Sequence, residues 1–277
     1  MLKRILVVLD GSTAGRLAKN YAIHLAQATG ASLTGVGVLD IHWIMASQAE
    51  PLGGAAFKIH RDQEILKQHH KRIQDMLNHF KTLCQEKGVA HSVSEVEGFP
   101  STEIEVLSES HDLIVVGRTT DFNFDLDVDT DFTVRHIIRD NPRPIVVVTE
   151  AIDLEKKVLI AYDGSLQAAR SLHMYLLLGI STNQRVHILS ISKQLKEAEV
   201  IAQRAKEMCA AHGVDAEIEA LASKKSPEDI IQEKAKELGA SLLVMGAHGS
   251  RGLREFLFGT TTEHLLKNSK VSLFIHH

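Results

Sequence analysis

Apolar residues cluster in short bursts along this chain, and between many of the bursts they recur every three or four positions instead. ILVVL (5–9), SLTGVGVLD (32–40), HSVSEVEG (91–98), LIVVG (113–117) and PIVVV (144–148) form a first series. VLIAY (158–162), RVHILSIS (185–192), AEIEALA (216–222), LLVMG (242–246) and VSLFI (271–275) form a second. Such short, β-branched runs predict strands buried on both faces, as in parallel sheets. Between them, Ile65, Leu66, Ile73, Met76, Leu77, Phe80 and Leu83 sit at helical spacing, and that helix should stop at Gly88 after Lys87. Ile201, Ala202, Ala205, Met208 and Cys209 mark a counterpart that stops at Gly213. Alternating strands and helices imply βαβ units with right-handed crossovers. The expected architecture is α/β, with two tandem open parallel five-stranded sheets and helices on both faces.

The two series are copies. KRILVVLDGS (3–12) returns as KKVLIAYDGS (156–165), LCQEKGV (83–89) as MCAAHGV (208–214), and HDLIVVG (111–117) as ASLLVMG (240–246). Order is kept, so one domain has been duplicated. The polar stretch TEAIDLEKK places the join between a domain at 1–150 and a second at 155–277. The first copy is longer, through an insertion around DIHWIMASQAEPLGGAAFKIH. Trp43 and Phe57 in it suit either the wall of an apolar or sugar-binding pocket or a loop folded over the crevice of its own domain.

The remaining composition narrows the classes. With 44% hydrophobic and 24% charged residues, the chain has an ordinary globular make-up, and its net charge of -4 leaves no basic footprint for nucleic acid. Two cysteines, Cys84 and Cys209, make no disulfide framework and point to a reducing, cytoplasmic setting. Both fall on the apolar side of matching helices, where a thiol packs. The opening apolar run stops at Asp10, too short for a signal peptide, and no stretch approaches the ~18 apolar residues that suggest a membrane span.

Parallel sheets of this kind bind ligands beyond the carboxyl ends of their strands, where the strand order reverses. There the second copy has GAHGSRGLREFLFGTTTEHLL from Gly246. Gly246, Gly249 and Gly259 lack a Cβ and would let a phosphate reach main-chain N–H groups. Thr260 and Thr261 add hydroxyls at a helix start, with either as cap and Glu263 in capping-box spacing from Thr260. Arg251 adds positive charge. Asp163, ending VLIAY ahead of Gly164 and Ser165, can accept hydrogen bonds from a ribose or a base amine. Each feature has a plainer reading too: glycines after a parallel strand turn the chain, and Thr-Thr-x-Glu caps helices everywhere.

GAHGSRGLREFLFGTT fits G-x2-G-x9-G-[ST] and, with AYDGS at 161–165, resembles the ATP-binding pattern of the universal stress protein family. The whole chain looks like a tandem member. The resemblance implies an adenine nucleotide alpha hydrolase-like, Rossmann-like fold and a stress-response or regulatory role. It further implies binding of ATP, ADP or AMP, with Mg²⁺ on the phosphates, and dimers made by pairing last strands. Carried over, Ala161 and Asp163 border the adenosine, Ile191 offers main-chain contacts to adenine and Met245 flanks base or sugar. Gly246, Gly249, Gly259, Thr260 and Thr261 cradle phosphates. PIVVV and VSLFI would then pair within one chain and remove an exposed edge.

The first copy departs from this pattern. After Gly117, GRTTDFNFDLDVDTDFTVRHII contains no glycine but has Asp121, Asp125, Asp127, Asp129 and Asp131, which would repel phosphate. They do not make an EF-hand, whose sixth and twelfth places here hold Thr130 and His136. No H-x3-H or C-x2-C pair supports a metal site, and neither a Walker motif nor a nucleophile elbow supports catalysis beyond slow ATP hydrolysis. The expectation is an adenine-nucleotide-binding regulatory protein loaded in its second half. The rival is a protein-interaction or small-ligand module with a vestigial site.

Overall fold

The computed structural model describes residues 1–42, 55–120, 122, 131–149, 152, 157–180, 184–247 and 259–277, with only the main chain at 55–59 and 131–132. The first half runs β1 (Arg4–Val8), α1 (Thr13–Thr29), β2 (Ser32–Leu39), α2 (Ala55–Glu86), β3 (His91–Glu97), α3 (Pro100–Ser108), β4 (Leu113–Gly117), α4 (Asp131–Asp140) and β5 (Ile145–Val148). The second repeats it as β6 (Val158–Ala161), α5 (Leu166–Leu178), β7 (Val186–Ser192), α6 (Leu195–Ala211), β8 (Ala216–Ala222), α7 (Pro227–Leu238), β9 (Leu242–Gly246), α8 (Thr260–Asn268) and β10 (Ser272–His276).

The two expected five-stranded sheets are present and join edge to edge through the expected pairing of PIVVV with VSLFI. Ten strands run in the order β3-β2-β1-β4-β5-β10-β9-β6-β7-β8. Neighbours are parallel except at the centre, where β5 and β10 pair antiparallel with Val146 opposite Phe274. The halves are therefore related by a local twofold through that pair, and each keeps the doubly wound order with a reversal beside its first strand.

Continuous apolar runs make this sheet because each strand feeds two layers at once. Ile5 and Val7 pack under α1 and α2 while Leu6 and Val8 face α3 and α4. Ile160 and Leu159 divide in the same way in β6. Several of the helices end on glycine, as the spacing required: Gly88 and Gly213 have φ of 66° and 72°, a left-handed conformation that costs glycine nothing. Cys84 and Cys209 are fully buried free thiols, each pushed by burial to a pKa of about 11.

The insertion is partly helical. α2 has 32 residues against 17 in α6, so the tail of the insertion extends the helix. Trp43 and the side chain of Phe57 lie outside the described residues, so neither expected role for them is addressed. Among the described residues, no helix is long and apolar enough to cross a membrane.

Candidate functional site

The strand order of the second half reverses between β6 and β9, and a cavity of about 330 Å³ opens at their carboxyl ends. That volume falls at the lower end of the range of small-molecule sites. Ala161 and Asp163 reach it from the end of β6, Ile191 from β7, Met245 and Gly246 from β9, and Gly259, Thr260 and Thr261 from the start of α8. Residues up to a hundred positions apart thus meet in one hollow. Gly249 and Arg251, with His248, lie outside the described residues.

The walls have distinct chemistries. Asp163 is exposed at the mouth, its Oδ1 accepting from the Ser165 N–H at 2.9 Å. Tyr162 is buried beside it, and burial, followed by the Asp163 charge, raises its phenol pKa. The Ser190 hydroxyl donates to the Tyr162 carbonyl at 2.7 Å and fixes the strand end. Opposite stands the first turn of α8, whose leading N–H groups have no intrahelical acceptor and carry the positive end of the helix dipole.

Two expectations about this helix start are corrected. Its N-cap is Gly259, with no side-chain capping bond, so neither Thr260 nor Thr261 caps it. Glu263 does not reach back in a capping box either. Its carboxylate lies 2.8 Å from Nη1 of Arg135 on α4, an ion pair across the two halves that local spacing could not reveal. The threonines do other things. Thr261 donates to Oε2 of Glu228 at 3.1 Å, Thr262 is buried with its hydroxyl 3.5 Å from the Gly246 carbonyl, and Thr260 is exposed at the cavity.

Gly246 answers to packing as well as to a ligand. A Cβ there would come within 2.5 Å of the Ala168 nitrogen and the Gln167 carbonyl carbon, in the first turn of α5. Gly117, its counterpart, faces the first turn of α1 in the same way at 2.6 Å. Strand-to-helix approach therefore demands glycine in both halves, including the one without the rest of the motif.

Sequence reasoning missed Tyr162, Ala168, Leu189, Pro227, Ile231 and Thr262, which also line the cavity. Strand alternation carried a signal for Leu189, two residues before Ile191. Nothing local distinguished Pro227 or Ile231, which α7 brings in beside α8 in the same layer as Leu189 and Met245. At the matching place the first half carries larger apolar side chains. Val8 replaces Ala161 and is fully buried, and Phe122, 3% exposed, is buried in the same apolar layer as Val8, Val38 and Ile104. The acidic stretch 123–130 and Asp121 fall outside the described residues. Among the described residues no group of three or more His, Cys, Asp or Glu is placed to hold a metal.

These features define a doubled Rossmann-like α/β fold with a cavity at the switch point of its second half. The sequence profile of the universal stress protein family matches residues 1–121 and 155–277, and the chain belongs to that family. A universal stress protein of Synechocystis sp. is 26% identical over 98% of both chains. One of Bacillus subtilis, 27% identical, matches 43% of this chain with 97% of its own length, as expected for a single copy of the unit. Among solved structures, a universal stress protein of Archaeoglobus fulgidus superposes with a TM-score of 0.71 at 18% identity, covering 99% of this chain and 97% of the other.

Proposed function

We propose that residues 155–277 form an adenine-nucleotide-binding domain and that residues 1–150 form a degenerate copy, so that the protein acts as a nucleotide-responsive member of its family. The observation that carries this reading is the convergence of Ala161, Asp163, Ile191, Met245, Gly246, Gly259, Thr260 and Thr261 on one cavity at the strand-order reversal, with an acceptor on one wall and a helix N-terminus on the other. Asp163 accepts from the ribose hydroxyls, and the Ile191 main chain meets the adenine edge beside the small Ala161. Met245 lies against the base or sugar. The phosphates run toward Gly259, Thr260 and Thr261 and the loop carrying Gly249 and Arg251. ATP, ADP or AMP all fit this scheme, and Mg²⁺ enters with the phosphates.

Purified protein, denatured and analysed by mass spectrometry, should release adenine nucleotide. Titration calorimetry of the stripped protein should then show ATP binding that Gly249→Val abolishes while circular dichroism is unchanged. Equal ATP affinity in that variant would refute the reading, and absence of any nucleotide binding would favour an interaction module with a vestigial site. A homodimer, as a further proposal, would have to form through the outer strands β3 or β8 or through helices, because β5 and β10 already pair with each other.

A further inference from the structure

Both halves begin their first helix with the same turn. In Asp10-Gly11-Ser12 and Asp163-Gly164-Ser165 the glycines are left-handed, with φ of 77° and 75°. Each serine hydroxyl then accepts an N–H three residues on, from Gly15 at 2.9 Å and from Ala168 at 3.2 Å. The backbones match and each aspartate Oδ1 accepts from the serine N–H two residues on, at 3.0 Å and 2.9 Å, but the carboxylates differ in burial.

Asp10 is 2% exposed, and its Oδ1 accepts from the Ser12 N–H at 3.0 Å and the Ser12 hydroxyl at 2.9 Å. It occupies the space above Gly15: a Cβ built on that glycine would stand 1.9 Å from Oδ1. In the second half the residue at this position is Ala168, 4% exposed, so the methyl is present and a carboxylate in the Asp10 pose would collide with it. Asp163 is exposed instead, at the mouth of the cavity that Ala168 also lines.

We propose that Ala168 is a positioning residue: its methyl group denies Asp163 the space over the helix turn and so presents the carboxylate to a ligand. One missing methyl, at Gly15, retires the same carboxylate in the first half. The consequence for affinity rests on the nucleotide reading above, whereas the side-chain placement does not.

Two measurements test this. A ligand-free crystal structure of Ala168→Gly should show Asp163 drawn back over the first turn of α5 and accepting from the Ser165 hydroxyl. A carboxylate still at the cavity mouth overturns the proposal. In calorimetry, Ala168→Gly should bind ATP about tenfold more weakly, the scale of weakening a hydrogen bond to a charged group. The same substitution in an Asp163→Asn background should cause no further loss. Unchanged affinity in the single variant, or an equal tenfold loss in the Asp163→Asn background, would assign Ala168 to packing alone. Thermal unfolding confirms that each variant is folded. Should the wild-type protein bind no nucleotide, the functional reading falls by itself and the ligand-free structure still decides the role of Ala168.

Discussion

The crevices of the two halves share a turn, a terminal glycine and a strand order, yet the aspartate of the shared turn is buried in one and exposed at a cavity in the other. Val8 stands where the second half has Ala161, Phe122 is buried in the same apolar layer, and Asp10 folds onto its own helix. At the same places the second half has a small residue, an open cavity and an outward carboxylate. Over the shared Asp-Gly-Ser turn the backbones match, so there the difference lies in the side chains. Apolar side chains fill a crevice at a gain in stability, because burial removes them from water. A duplicated site is therefore easily closed while the fold that carried it persists.

The largest expected effect lies in the first half, at its buried ring. Phe122→Ala should cost about 3–5 kcal/mol in urea unfolding, the scale for deleting a buried aromatic ring. A loss below about 1 kcal/mol would mean that this ring does not fill the crevice. Gly117→Ala and Gly246→Ala come next, at about 1–3 kcal/mol each, since both force a Cβ into a helix backbone. Comparable losses would show that the two glycines serve the same packing role. A Gly246→Ala protein that keeps full stability but loses nucleotide would assign that glycine to the ligand.

Acid sensitivity should also separate the halves. β10 ends in His276 where β5 has Val148, and burial lowers the His276 pKa to about 4. An unfolded histidine titrates near 6.5, so between about 6.5 and 4 the unfolded chain takes up a proton that the folded chain refuses. Stability should fall as pH drops through that window, and His276→Val should flatten the fall in pH-dependent denaturation. An unchanged pH profile would dismiss His276 as the cause.

The smallest effect concerns the pairing of the halves. Arg135 and Glu263 occupy the same place in RHIIRDN and EHLLKNS, so like halves brought together would set like charges against each other. Arg135→Glu should cost roughly 0.5 kcal/mol, as expected of an exposed pair, and the exchange Arg135→Glu with Glu263→Arg should restore it. Failure of the double variant to recover would indicate that the contact is incidental.

Much of this was legible beforehand. The eight inner strands follow from runs such as ILVVL and LLVMG, because a strand buried on both faces is largely apolar, whereas the outer strands β3 and β8 mix polar and apolar residues and are only partly buried. The glycine stops at Gly88 and Gly213 were equally plain. The cap of α8 was not, since Arg135 from the other half claims Glu263. Nor was the double duty of Gly246, which depends on how closely α5 lies over β9.

Taken alone, the order of residues determined the repeat, the elements and the list of candidate ligand contacts, since these depend on periodicity and on chemistry carried within a few neighbouring positions. Tertiary structure decided that Asp163 is exposed at a cavity while Asp10 is buried, and that Phe122 joins the apolar layer of Val8 and Ile104. Those outcomes turn on single methyl groups and rings brought together from distant parts of the chain, and contact between remote side chains leaves no trace in local sequence.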